Sequence, residues 1–144
     1  MAKRELGIYI DRTYKIVRQD LITRFREHRI DLTPEQFVVV SKLNTDGDMY
    51  QTDLANYSFR DKPTVSRIID LLVRKNVVTR TPDKMDGRRF LISLTLKGKQ
   101  LVEKAYPIVV ASREKGWTNL SEEEYETLVK TLDKIFANYS KVED

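Results

Sequence analysis

The sequence predicts a mainly α-helical chain with one small β-hairpin, and three observations predict it. Apolar residues recur at helical spacing near both ends, capping patterns open two segments, and apolar residues alternate at spacing two just before residue 95. From Leu6 to His28 one face reads Leu6, Ile10, Tyr14, Val17, Leu21, Phe25 and His28, a long amphipathic helix. Thr33, Pro34 and Gln36 follow as N-cap, first-turn proline and capping-box partner of a second helix carrying Phe37, Val40 and Leu43, which ends before Asp46-Gly47. A third, short helix holds Leu54 and Ala55, with Tyr57 near its end, and polar residues 58–61 separate it from a fourth. That helix begins at Asp61 or Lys62, takes Pro63 in its first turn and turns Val65, Ile68, Ile69 and Leu72 inward. Lys62, Pro63, Thr64, Ser66, Arg67, Asp70 and Arg74 then point elsewhere, and Asn76 closes the helix in a left-handed conformation.

Val77 and Val78 open a strand toward Pro82, and Phe90, Ile92 and Leu94 alternate on the way back. The spacing predicts a two-stranded hairpin tipped by residues 83–88. Thr95 restarts helix, Pro107 is expected to kink it, and Trp117 lies near its end. Ser121 with Glu124 forms a second capping box, its acids suited to the helix dipole, before a stripe of Tyr125, Leu128, Val129, Leu132, Ile135, Phe136 and Tyr139. This order is a winged helix-turn-helix flanked by N- and C-terminal helices, expected as one domain over 1–144, with the winged part at 32–95 and dimerisation helices at 5–30 and 96–140. Two stripes too apolar to leave in water are the reason to expect a homodimer.

Charge is concentrated where the exposed helix and hairpin lie. Residues 56–100 hold eleven Lys and Arg against four Asp and Glu; residues 1–55 balance at nine of each, and residues 101–144 carry six bases against nine acids. Such a local positive field is the footprint of phosphate binding, whereas cations that merely solvate a surface would be scattered. At 144 residues the chain can bury its own core without disulfides or metal. It has no cysteine, which suits a reducing compartment and removes a thiol switch and a thiolate zinc site. Met1 to Leu6 lacks an apolar signal core and no apolar run is long enough to span a bilayer, so a cytoplasmic protein without membrane contact is expected. There is no Ser/His/Asp set, no metal-ligand cluster and no phosphate-cradling glycine loop; no enzyme activity, cofactor or metal is expected.

Several residues carry the functional expectation, each beside a plainer one. Arg67 presents a planar fork suited to guanine, or pairs with Asp70 three residues on. Thr64 and Ser66 are short donors that reach phosphate or base, or only support the helix start. Lys62, a point charge, fits phosphate better than a base edge. In the hairpin tip, Asp86 can orient Arg88 for a minor groove with Lys84 and Arg89 alongside, or Asp86-Gly87 is an ordinary turn. Arg60, Arg74 and Arg80 are weaker candidates for phosphate. His28, the one histidine, is an interface group rather than a ligand or pH sensor, and Tyr9, Tyr14, Phe25, Tyr106, Trp117 and Phe136 are packing residues before they are an effector cavity.

The ordered set Leu32-Thr33 with Gln36, Leu54-Ala55, Thr64-Val65-Ser66-Arg67, Asp86-Gly87-Arg88 and Leu94-Thr95-Leu96-Lys97-Gly98 resembles the MarR family of bacterial transcription regulators over nearly the whole chain. The resemblance implies a homodimer on double-stranded DNA with a pseudo-palindromic operator. It places the fourth helix in the major groove, Arg88 oriented by Asp86 in the minor groove, and the terminal helices at the dimer contact. It further implies repression relieved by a small-molecule effector, which no residue identifies. Departures are Asn76 for the common glycine, Val73 where an acid often stands, Tyr50 where Ser or Thr commonly caps the third helix, and Pro107. The alternative is a winged-helix protein-interaction module without specific DNA binding.

Overall fold

The computed structural model describes residues 5–141. Its elements run α1 (Leu6–Glu27), α2 (Pro34–Asp46), β1 (Met49–Tyr50), α3 (Gln51–Ser58), α4 (Lys62–Arg74), β2 (Val78–Pro82), β3 (Phe90–Leu94), α5 (Leu96–Gly116) and α6 (Glu122–Ser140). The expectation about a signal core falls largely on residues 1–4, outside the described residues. No helix among the described residues is long and apolar enough to cross a membrane.

Both capping boxes form. The Thr33 hydroxyl accepts from the Gln36 N–H at 3.1 Å while the Gln36 side chain accepts from the Thr33 N–H, and Ser121 with Glu124 repeats the exchange at α6. Helix ends are equally regular. Arg29, Phe59 and Asn76 each take a left-handed φ near +55 to +60°, and in each case the next N–H folds back to a carbonyl five residues earlier, as Val77 does to Leu72 at 3.0 Å. This is the Schellman closure, here without glycine.

The expected two-stranded hairpin is a three-stranded antiparallel sheet in the order β1-β3-β2. The addition is β1, whose two residues pair as Met49 with Ile92 and Tyr50 with Leu91; so short a strand leaves no alternation to find. β2 pairs with β3 from Val78–Leu94 to Pro82–Phe90, which puts Ile92 on the middle strand and out of water. The third helix also starts earlier than Leu54, at Gln51 beside an uncapping Tyr50 side chain. Pro107 lies inside α5, which continues on both sides of it.

The chain divides into two compact units, one running to Ser112 and one from Arg113 onward. In the first, Phe25, Phe37, Val40, Leu43, Leu54, Val65, Ile69, Leu72, Val78, Ile92, Val102 and Val109 make a continuous core from α1 to α5. The one buried polar side chain among the described residues, Gln36, accepts from the Thr33 N–H and from the Lys75 ammonium at 3.1 Å, which also reaches Asp31. Thr95 donates its hydroxyl to the Asn76 and Val77 carbonyls, and Gly98 lies so close that a Cβ there would collide with the Val77 oxygen. In the second unit α6 buries no residue, and Trp117 packs edge-on against Tyr125 at 5.0 Å.

Candidate nucleic-acid interface

The fourth helix owes its start to Asp61. Its carboxylate accepts the Thr64 N–H at 2.7 Å, and the Thr64 hydroxyl and N–H together hold that carboxyl below the usual carboxylate range. Pro63 stands in the first turn, where a missing N–H costs no bond. With Val65, Ile69 and Leu72 fully buried beneath, Lys62, Pro63, Arg67 and Arg74 are exposed, and Thr64 and Ser66 are half-buried at the margins of the same face.

Arg67 does not take the ion pair its spacing offered. Its Nη2 donates to the Thr64 hydroxyl at 3.4 Å, while Asp70 is engaged by Arg80 from the neighbouring strand at 2.6 Å. Arg80, expected among the weaker phosphate contacts, has its donors turned inward. Besides Asp70 it reaches the Gln51 side chain at 3.2 Å and the Ser66 carbonyl at 3.3 Å, with Phe90 under its guanidinium. One arginine therefore joins β2 to α4 and to the first turn of α3. Arg60 approaches Glu35 at 3.9 Å; Glu35 also takes two bonds from Arg18 of α1, at 2.6 and 3.0 Å, which hold its carboxyl below the usual range.

Between β2 and β3 the wing projects into solvent. Asp86 accepts both the backbone N–H and the Nε of Arg88, at 3.1 and 3.3 Å, and the Arg88 side chain is 93% exposed. Lys84 and Met85 are exposed beside it, and the Arg89 guanidinium lies 3.7 Å from the Tyr50 ring centre. The structure thus brings Asp86 and Arg88 into the expected contact. It also shows two residues that spacing could not, Tyr50 and the inward-turned Arg80, because their partners lie ten or more residues away. Of the aromatic set, Phe25 is core against Phe37, Trp117 faces Tyr125, and Tyr9, Tyr14, Tyr106 and Phe136 are exposed. His28 caps the end of α1 and is exposed.

Comparison with known proteins bears on the family and the fold. The profile of the MarR family matches residues 32–90. A curated but uncharacterized HTH-type transcriptional regulator of Bacillus subtilis, YkoM, is 28% identical over 135 residues, covering 92% of this chain and 86% of that protein. S. aureus MepR, solved as a complex with DNA, superposes with a TM-score of 0.83 at 29% identity, over 92% of this chain and 97% of that one. A MepR-like protein solved with pseudoligands gives a TM-score of 0.74 at 27% identity, over 92% and 94%.

Proposed function

This chain belongs to the MarR family of transcriptional regulators, and on that footing we propose that it is a sequence-specific reader of double-stranded DNA. It works as a homodimer over residues 1–144, in the cytoplasm, as a binding protein rather than an enzyme. The observation that carries this reading is a pair of solvent-facing cationic features on one braced frame. A capped helix displays Lys62 and Arg67, and a wing displays Arg88 held by Asp86, with the Arg80–Asp70 pair between their elements.

In this reading Arg67 takes base edges in the major groove, helped by Thr64 and Ser66 and by the close fit of Pro63, while Lys62, Arg60 and Arg74 neutralise phosphates. Arg88 enters the adjacent minor groove with Lys84 and Arg89 on its walls, and Arg80 serves as the brace. Exposed apolar side chains on α1 and on α6 supply the contact between protomers. Two α4 helices then meet major grooves about one helical turn apart, roughly 10 base pairs. The bound regulator represses, and a small ligand relieves repression by favouring a different spacing of the two helices; that a MepR-like protein has been solved in complex with pseudoligands supports a ligand as part of this reading.

The test is selection of bound fragments from random duplex DNA, followed by titration against salt. A two-fold motif is expected, with log K falling by about 0.9 per log unit of salt for each phosphate neutralised. Arg67→Ala should relax one base pair per half-site at a cost of roughly 1–3 kcal/mol, and Arg88→Ala should weaken binding broadly. Failure to recover any motif, or salt-insensitive binding, would count against DNA reading.

A further inference from the structure

The wing tip spans seven residues, Asp83 to Arg89, with Met85 94% exposed at its end and nothing within 4 Å of where a Gly87 Cβ would stand. A loop with no apolar packing keeps a shape only through polar ties. Those ties converge on one carboxylate. Asp83 Oδ2 accepts the Asp86 N–H at 3.2 Å, and Asp83 Oδ1 accepts the Tyr50 hydroxyl at 3.1 Å. The Asp83 N–H donates to the Arg89 carbonyl at 2.8 Å and the Arg89 N–H to the Asp86 carbonyl at 3.0 Å, closing the tip. Asp86 in turn holds Arg88 by two bonds.

Tyr50 is the end of this chain that is anchored elsewhere. Its backbone pairs with Leu91 of β3 and precedes the first turn of α3, its ring is half-buried, and the Arg89 guanidinium lies on its face. We propose that Tyr50 is a positioning residue of the wing: its hydroxyl fixes Asp83, which fixes the Asp86 amide, so that Arg88 is presented to DNA already aimed. The inference rests on the DNA reading proposed above. Its physical content is preorganisation: a long cation held in one geometry before binding gives up less rotamer freedom on binding.

The experiment compares wild type, Tyr50→Phe, Asp83→Ala, Arg88→Ala and the Tyr50→Phe/Arg88→Ala double variant on a duplex recovered by selection, at fixed salt. Tyr50→Phe keeps the ring and its stack but removes the hydroxyl. It should weaken binding roughly three- to tenfold, leave the melting temperature near that of wild type, and lower the NMR order parameters of the Gly87 and Arg88 amides. Asp83→Ala should do the same. In the Arg88→Ala background the Tyr50→Phe effect should vanish, which a general loss of stability would not produce. If Arg88→Ala weakens binding while Tyr50→Phe does not, or if the two effects add, the positioning role is wrong and the wing assignment stands. If Arg88→Ala binds like wild type, the wing assignment itself fails and takes this role with it.

Discussion

The fourth and sixth helices carry the same sequence signal and meet opposite fates. In α4 the apolar stripe of Val65, Ile69 and Leu72 is fully out of water, whereas in α6 Leu128, Leu132 and Phe136 remain 40 to 55% exposed and no residue is buried. Helical periodicity says that a face needs covering and is silent on what covers it. For α4 the cover is the chain's own core; on α6 no residue is buried, and Trp117 lies edge-on against Tyr125 near its start. α1 holds both conditions in one element, with Phe25 buried near its end and Ile16 71% exposed in its middle.

Charging the two stripes should therefore have unlike results. Ile69→Glu places a charge in a closed core, worth several kcal/mol, and should abolish cooperative unfolding altogether. On the homodimer proposed above, Leu132→Glu should leave the circular dichroism spectrum helical while the mass in light scattering falls from twice 16.9 kDa to that value. A Leu132→Glu protein that stays dimeric would break the comparison.

Glycines sharpen it at a smaller scale. Alanine ordinarily favours a helix over glycine by about 1 kcal/mol. At Gly98 the added Cβ would press on the Val77 carbonyl and the Leu94 side chain, so Gly98→Ala should lose about 2–3 kcal/mol in thermal unfolding. At Gly116, with nothing within 4 Å, the same change should be neutral or mildly stabilising. Equal effects at both sites would remove the distinction between a closed region and an open one.

A pH-dependent effect lies where α1 meets α2. Arg18 donates twice to Glu35 and depresses its carboxyl, so the pair stabilises the fold above the ordinary glutamate range, near pH 4.3, and that contribution is lost as pH falls through the lowered folded value. Glu35→Gln should cost about 1–2 kcal/mol at neutral pH. Denaturant titrations should show the gap to wild type narrowing as pH falls from about 4.3 and closing once pH has passed the lowered folded value; a gap that persists undiminished at still lower pH would place the stabilisation elsewhere.

Local chemistry was legible in the residues themselves. Thr33 with Gln36, Ser121 with Glu124, Asp61 before Pro63 and the left-handed Asn76 each depend on neighbours within four positions, and each forms as the spacing implies. The Asp86–Arg88 contact belongs to the same class. What stayed hidden depends on pairs remote in sequence. Two residues of β1 are too few to show a period, and nothing beside Tyr50 announces Asp83, 33 positions on. Asp70 illustrates the rule from both sides: the i+3 spacing offers it to Arg67, yet the sheet delivers Arg80, whose approach is set by the pairing of β2 with β3.

Arg80 reaches three elements at once: the Gln51 amide at the head of α3, the Ser66 carbonyl and Asp70 of α4, and its own strand. A rivet of that kind removes the freedom to retract one prong while leaving the other in place. In the DNA reading proposed above, a tilt of α4 is then expected to carry the base of the hairpin with it, so that helix and wing would leave their grooves together.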